Sequence, residues 1–87
     1  MFIKKVLIEL TILEKIFKKH NVKMEEVEWA LLRNEPRFFR AKEGRHMALA
    51  KTNRYLTIIF TCEKNSTKII TAYPSSGWQI NLYKVKK

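Results

Sequence analysis

One segment of the chain, Tyr55–Cys62, carries apolar side chains at every second position. As a strand it would turn Leu56, Ile58, Phe60 and Cys62 to one side and Tyr55, Thr57, Ile59 and Thr61 to the other. Residues 63–66 are polar and predict a turn, after which Thr67–Tyr73 returns as a second strand. A side-chain period of two is typical of half-buried strands, so the sequence predicts an antiparallel hairpin with one apolar face. That face requires a covering layer of helices.

The N-terminal segments supply candidates for this layer. Val6–Ile8 predicts a short buried strand, and Thr11 and Glu14 match a capping box for a helix that ends near His20. An alternative is a single helix over residues 2–19, because apolar residues there recur at intervals of three and four. We prefer strand followed by helix, with Asn21 as a left-handed stop.

The remaining segments complete the predicted order β-α-α-β-β-β-α. They are a second helix at residues 24–34, short strands at Arg37–Ala41 and His46–Lys51, and a last helix starting at Ser75 or Ser76. Ser76 and Gln79 form a second capping box there. Trp78, Leu82 and Val85 would then form the apolar stripe of this helix.

The predicted fold class is α+β, with a small antiparallel sheet of three to five strands and helices packed on one of its faces. The covered face would hold Leu56, Ile58, Phe60, Ile70 and Ala72, and the open face Thr57, Thr61, Thr71 and Tyr73. A chain of 87 residues predicts one domain over 1–87, with 84–87 as a frayed basic tail.

The composition limits the location and the chemistry. Cys62 is the single cysteine, which excludes an internal disulfide and fits a reducing cytoplasm. One cysteine and two separated histidines provide no zinc pattern. No apolar run is long enough to span a membrane, and Glu9 and Glu14 interrupt the segment where a signal peptide would need an apolar core. We expect a cytoplasmic protein without metal or cofactor.

Charge is the strongest global signal. The chain carries 18 Lys and Arg against eight Asp and Glu, a net charge of +10. The excess is uneven: residues 1–23 carry +4, residues 24–44 carry −1, and residues 45–87 carry +7. A basic half beside an acidic segment indicates an anionic partner, most simply nucleic acid. The alternative is a protein of high isoelectric point without such a partner.

Two short segments resemble known toxins. Lys18–Val27, a helix ending in Lys-His followed by a second helix that opens with acids, resembles BrnT-like and RelE/ParE-like toxins. Ile69–Pro74 resembles the final core strand of the barnase–EndoU–colicin–RelE nuclease superfamily, which ends in Thr-x-aromatic-Pro in several branches. The resemblance implies a metal-independent endoribonuclease, the toxin of a toxin–antitoxin pair or an effector module. In that chemistry the RNA 2′-hydroxyl attacks its own phosphate, so the enzyme supplies a base, an acid and a charge stabiliser.

The candidate catalytic residues are His46, Thr71, Tyr73, Arg45 and His20. An imidazole suits acid–base catalysis near neutral pH, and Arg45 could stabilise charge beside His46. Thr71 and Tyr73 lie two residues apart, so one strand face would present both hydroxyls. Each has a structural alternative: a surface histidine at His46, a helix-capping histidine at His20, and strand propensity for Thr and Tyr.

The candidate RNA contacts are mainly basic residues. They are Lys19, Arg37, Arg40, Lys51, Arg54, Lys68, Ser75 and Lys84. A single basic residue is most often only a solvated charge, so the prediction of RNA binding depends on the whole set. The expected partners are RNA, with ribosome association left open, and an antitoxin with an acidic or amphipathic segment. Two other functions stay open: a non-catalytic RNA- or DNA-binding module, and a regulatory or immunity-type partner protein.

Overall fold

A computed structural model describes residues 3, 5–63 and 66–85. The elements are β1 (Val6–Leu7), α1 (Leu10–His20), α2 (Met24–Leu32), β2 (Arg37–Arg40), a 3-10 turn (Lys42–Gly44), β3 (His46–Lys51), β4 (Tyr55–Glu63), β5 (Ser66–Pro74) and α3 (Gly77–Val85). The predicted α+β class and its element order are confirmed. Residues 64 and 65 of the predicted turn and 86 and 87 of the predicted tail lie outside the described residues. The first two residues of that tail, Lys84 and Val85, end α3.

The strands form one sheet in the order β1-β5-β4-β3-β2. β2, β3, β4 and β5 pair antiparallel in sequence order, as the alternating pattern predicts. β1 differs, because it pairs parallel to β5, with Val6 opposite Thr67 and Leu7 opposite Lys68. The sheet is therefore mixed rather than antiparallel throughout.

The start of α1 decides between the two predictions for the N-terminal segment. Val6–Leu7 is a strand, and the Thr67 backbone N–H donates to the Lys5 carbonyl at 3.0 Å, so a single helix over residues 2–19 is wrong. α1 begins at Leu10 with Glu9 as its N-cap, so the predicted capping box at Thr11 is also wrong. The helix starts two residues earlier than that box requires.

The predicted stop at Asn21 is confirmed. Asn21 has φ 54° and ψ 40°; its N–H donates to the Phe17 carbonyl at 2.9 Å, and the Val22 N–H donates to the Ile16 carbonyl at 3.3 Å. A left-handed residue closes the last turn of a helix, and Asn tolerates this conformation better than most residues. The turn places Val22 in the core and directs α2 back across the sheet.

The core lies between the sheet and the first two helices. It contains Ile16, Val22, Val27, Ala30 and Leu31 from the helical side and Ala48, Ala50, Leu56, Ile58, Phe60, Ile69 and Ala72 from the sheet. The predicted apolar face is correct except at one position. Ile69, not Ile70, enters the core, because a bulge on β5 shifts the alternation: Ile59 pairs with Thr71, and Phe60 with Ile69.

α3 lies on the opposite face of the sheet, a correction to the expectation that all helices share one face. Its inward residue is Gln79, which is 2% exposed and contacts Thr57 and Met47. The predicted apolar stripe is wrong for the same reason, since Trp78 is 62% and Val85 77% exposed. Polar contacts rather than apolar burial set the rotation of this helix about its axis.

An ion pair ties the β3–β4 turn to the helices. Arg54 donates to both Glu26 carboxylate oxygens, at 3.0 and 2.9 Å, and to the Asn21 carbonyl at 2.9 Å. Thr52 donates to the same carboxylate at 3.0 Å. The hydrogen bond from Arg54 holds the pKa of Glu26 below its ordinary value of 4.5, and Glu26 in turn raises the pKa of Arg54.

We expect Arg54→Ala to lower the free energy of unfolding by about 1–2 kcal/mol at neutral pH, because it leaves a half-buried carboxylate without its charged donor. A carboxyl whose pKa is lowered on folding stabilises the fold above its unfolded pKa and loses that contribution as the pH falls through the folded pKa. The difference in the free energy of unfolding between variant and wild type, measured by urea unfolding, should therefore become smaller below pH 4. Arg33→Ala, an exposed cation, is the control. A gap that does not vary with pH would contradict this role.

Candidate active site

The open edge of β5 is the place where predicted catalytic residues meet. β1 covers β5 only at Thr67 and Lys68, so the later part of β5 has no strand partner on that side within the described chain. The C-terminal end of α1 lies beside this segment. It places the His20 ring 6.0 Å from the Tyr73 ring, centroid to centroid, at an interplanar angle of 52°.

A cleft of about 290 Å³ opens next to this contact. Its lining consists of Lys15, Ile16, Lys19 and His20 from α1 and Ile70 and Thr71 from β5. Lys15 and Lys19 are four residues apart and therefore project from one face of α1. The β5 bulge lies between the pairs Ile59–Thr71 and Phe60–Ile69, next to the two β5 residues of the lining, so two lysines, one histidine and one threonine contribute to a single cleft.

Gln79 anchors Tyr73 from beneath. The Gln79 Oε1 accepts from the Ser76 backbone N–H at 2.9 Å and from the Thr57 hydroxyl at 3.0 Å. A backbone N–H can only donate, so this contact fixes which end of the amide carries the oxygen. The Gln79 Nε2 therefore faces the Tyr73 hydroxyl, 3.1 Å away.

This orientation controls the Tyr73 hydroxyl proton. Because the Tyr73 oxygen accepts a hydrogen bond from Gln79, its own O–H is directed away from Gln79 and can donate to another acceptor. The polar chain continues behind it, since the hydroxyls of Thr57 and Ser75 are 2.7 Å apart. Thr57 is fully buried, so this chain is part of the packed interior. It holds Tyr73 as a hydrogen-bond donor beside His20.

His46 and Arg45 form a second group. The His46 ring stacks on Phe60 at 5.5 Å and 25°, and His46 lines a shallow cleft of about 280 Å³ with Arg40 and Arg45. Arg45 is 3.8 Å from the Glu43 carboxylate. β4 separates β3 from β5, so this group is two strand spacings, roughly 10 Å, from the backbone of the Thr71 strand. Of the five candidate catalytic residues, His20 and Thr71 thus line one cleft, with Tyr73 against the His20 ring, and Arg45 and His46 line the other.

Three predicted RNA contacts are engaged within the protein. Arg54 pairs with Glu26, and Lys68 lies 3.0 Å from Glu9, which raises the pKa of Lys68. Ser75 shares a hydrogen bond with Thr57. Of the others, Lys19 lines the His20 cleft and Arg40 the His46 cleft, and Arg37, Lys51 and Lys84 lie against tyrosine rings.

Two residues of the candidate site were not identified from the sequence. Gln79 was assigned only as a helix cap, and its contact with Tyr73 depends on α3 crossing the second face of the sheet. Lys15 is not among the predicted RNA contacts, although it lines this cleft. Its spacing of four from Lys19 is a sequence signal for a shared face, which indicates the cleft once the position of β5 is known.

The fold is that of a BrnT-like toxin. The crystal structure of the Brucella abortus ribonuclease toxin BrnT matches this chain with a TM-score of 0.69 and 19% identity, over 83% of this chain and 96% of that one. At this identity the match shows a shared fold. No protein-family model matches the sequence, and no curated protein has a significantly similar sequence. The predicted resemblance to RelE/ParE toxins and to the wider superfamily stays a prediction.

Two structural features are absent from the described residues. No group of three or more His, Cys, Asp or Glu side chains is placed to hold a metal ion in the part of the chain that the structure describes. None of the helices found there is long and apolar enough to cross a membrane.

Replacing the Gln79 amide tests the polar anchor. We expect Gln79→Leu to lower the free energy of unfolding by about 1–3 kcal/mol, because it leaves the buried Thr57 hydroxyl and the Ser76 N–H without their acceptor. Thermal and urea unfolding measure the loss. Asn81→Ala, at an exposed position of the same helix, is the control and should change stability by less than about 0.5 kcal/mol. Equal effects in the two variants would contradict the anchor.

Proposed function

We propose that this protein is a metal-independent endoribonuclease that acts at the cleft beside His20, Thr71 and Tyr73. The observation that carries the proposal is the convergence of an imidazole, two hydroxyls and two lysines at the open edge of β5. The fold shared with a ribonuclease toxin supports the same class of activity.

The proposed reaction needs no protein nucleophile. His20 removes the proton of the RNA 2′-hydroxyl, whose oxygen attacks the adjacent phosphorus and expels the 5′-oxygen of the next nucleotide. The leaving 5′-oxygen takes its proton from one of the two ammonium groups of the cleft, Lys15 or Lys19. Tyr73 donates a hydrogen bond to a phosphate oxygen, because Gln79 occupies its acceptor side. The products are a 2′,3′-cyclic phosphate and a 5′-hydroxyl.

The two lysines of the cleft stabilise the negative charge that develops on the phosphate in the transition state. Lys15 and Lys19 line the same space as Thr71, so both ammonium groups can face the phosphate that lies there. A fixed cation next to developing negative charge stabilises the transition state more than the ground state. Thr71 adds a hydroxyl donor on the strand side of the cleft.

The His46 group takes a separate role in the proposal. Stacking on Phe60 restrains the His46 ring, and Arg40 and Arg45 make its cleft cationic. Its position two strands from Thr71 suits contact with a neighbouring phosphate of the RNA strand rather than with the reacting phosphate. His46 thus contributes to binding, and His20 to catalysis.

Cleavage of total RNA in EDTA tests the proposal. We expect His20→Ala to slow cleavage by 10²-fold or more and Tyr73→Phe by at least about tenfold. His46→Ala, the matched control, should raise KM and leave kcat within about fivefold. Product ends should carry 2′,3′-cyclic phosphates.

Two results would contradict this assignment. If purified protein without any bound partner leaves every RNA class intact, with and without ribosomes, the nuclease proposal fails. If His46→Ala abolishes cleavage while His20→Ala does not, the nuclease stands and the reacting phosphate belongs in the His46 cleft. Unchanged melting temperatures show that the variants remain folded.

Gln79→Glu separates anchoring from chemistry. The introduced carboxylate still accepts from Thr57 and Ser76 but cannot donate to Tyr73, so the Tyr73 hydroxyl donates its hydrogen bond to the carboxylate instead of to the phosphate. We expect a loss in kcat similar to that of Tyr73→Phe, with little change in KM. Combining both changes should cost no more than Tyr73→Phe alone, because they remove the same hydrogen bond to the phosphate. Additive losses would contradict this coupling.

We further propose that the protein is the toxin of a toxin–antitoxin pair in the cytoplasm, with an antitoxin protein that neutralises it. An unrestrained ribonuclease damages its own cell, which makes a covering partner necessary. Such a partner needs acidic groups to meet the two lysines of the His20 cleft. Induced expression of the wild-type protein should arrest growth, and His20→Ala should not.

A second candidate function is RNA binding without cleavage. It is favoured by the cations Arg37, Lys51 and Lys84, which lie against tyrosine rings away from the His20 cleft. Tight, salt-sensitive binding of RNA that wild-type protein never cuts would identify this function.

A further inference from the structure

Two tyrosines and three cations form a cluster on the face of the sheet that α3 covers. The Tyr55 and Tyr83 rings meet edge to face, with centroids 5.8 Å apart. The Arg37 guanidinium lies 4.7 Å from the Tyr83 ring centroid. The Lys51 and Lys84 ammonium groups lie 5.4 and 5.8 Å from the Tyr55 centroid. These five residues are called the tyrosine cluster below.

Four separate elements build the tyrosine cluster. Tyr55 starts β4 and pairs with Lys51 at the end of β3, while Arg37 starts β2. Tyr83 is four residues after Gln79 on α3, so it continues the helix face that packs on the sheet. The cluster is therefore placed by the same helix rotation that places Tyr73.

The charges of the tyrosine cluster have not been neutralised by the ion pairs found in the described chain. Those pairs join Arg45 to Glu43, Arg54 to Glu26 and Lys68 to Glu9. The ammonium groups that share the Tyr55 ring are at most about 11 Å apart, close to the screening length of about 8 Å at physiological salt. Their mutual repulsion favours a bound anion.

Arg37 adds a second sign that the cluster is incomplete. Its Nε is buried, and it has no hydrogen-bond partner among the described residues. A buried donor without an acceptor is uncommon and costs free energy. An anionic oxygen that reaches the guanidinium would supply charge compensation at this point.

We propose that the tyrosine cluster is a nucleotide-binding subsite for single-stranded RNA. The proposal rests on the proposed function for its ligand, RNA, but not on cleavage. Lys51 and Lys84 are exposed and flexible, so they can turn from the Tyr55 ring to a phosphate and leave that ring to stack on a base. Arg37 stays on Tyr83 and holds the ring pair in place. An acidic peptide would pair with the cations but would have no base to stack on the Tyr55 ring, so the ring favours RNA as the ligand.

Binding of a short 2′-O-methyl RNA oligonucleotide, which cannot undergo 2′-hydroxyl attack, tests the subsite by fluorescence anisotropy. We expect Tyr55→Leu to weaken binding about 5- to 100-fold, and Tyr55→Phe to retain most of the affinity because it keeps the ring. Lys51→Gln and Lys84→Gln should each reduce the slope of log K against log salt by about 0.7, the value for one phosphate contact on a single strand. Lys23→Gln, an exposed lysine beside acidic Glu25, is the charge-matched control.

The possible results of this experiment test the nucleotide-binding subsite independently of nuclease activity. If Tyr55→Leu binds the oligonucleotide as tightly as wild type, the subsite is wrong even if the protein cuts RNA. If polyglutamate of equal charge competes as well as RNA and Tyr55→Leu binds both normally, the cluster is an acidic-protein surface and the proposal is also wrong. Loss of binding in Tyr55→Leu with retention in Tyr55→Phe supports the subsite, whether or not wild-type protein cleaves RNA. In cleavage of natural RNA, Tyr55→Leu should raise KM and leave kcat unchanged.

Discussion

The pairing of β4 with β5 and the bulge within it are the constraint on which the candidate site depends. Up to Ile69, every second side chain of β5 faces inward. After the bulge the next inward side chain is Ala72, three residues later instead of two. The extra residue, Ile70, stays out of the core, and Ile70 and Thr71 both belong to the lining of the cleft beside α1, while Tyr73 lies opposite Thr57 and contacts Gln79 of α3. A strand of strict alternation would place Ile70 in the core and bury the apolar face evenly, and α1 would then border a flat strand edge. Bulges recur beside functional sites for this reason, since they redirect a side chain without ending the strand.

A second layer of organisation comes from the buried amide of Gln79. Helices normally dock by an apolar stripe, yet the inward position of α3 is polar and its tryptophan faces solvent. The hydrogen bonds of the Gln79 amide to Thr57, Ser76 and Tyr73 specify one rotation of the helix, because a rotated helix would leave several buried groups unpaired. The same rotation brings Tyr83 to Tyr55 and Arg37. One amide thus links the contact of Tyr73 with His20 to the tyrosine cluster, which lies toward the C-terminal end of the same face of α3.

Local pattern predicted most of the fold and only part of the site. The strands at His46–Lys51 and Tyr55–Cys62 and the Asn21 stop follow from neighbours in sequence, and the structure contains each of them. Of the predicted Ser76–Gln79 capping box, the structure contains the hydrogen bond from the Ser76 N–H to the Gln79 side chain. The side of the sheet taken by α3 depends on a buried polar contact between distant residues, which hydrophobic periodicity does not report. The same limit applies to His20 and Tyr73, which are 53 positions apart and meet through the edge position of β5. The fold could be read from local pattern, whereas the grouping of catalytic candidates required tertiary contacts.

Net charge alone does not identify which cations face a ligand. The value of +10 treats all lysines and arginines alike, yet the fold divides them into two kinds. Arg54 and Lys68 each neutralise a carboxylate, and Arg54 in addition holds the β3–β4 turn against α2. Lys15 and Lys19 line a cleft with an imidazole, and Lys51 and Lys84 lie on the Tyr55 ring. In the proposed complex these two lysines turn to a phosphate, and a base stacks on the ring that they leave. A cation held by a carboxylate must lose that partner before it can bind RNA, so its gain from a phosphate is small. Under the proposed function, affinity for RNA should therefore follow the second kind. Glu26 instead serves the fold, because its bonds with Arg54 hold the β3–β4 turn against α2.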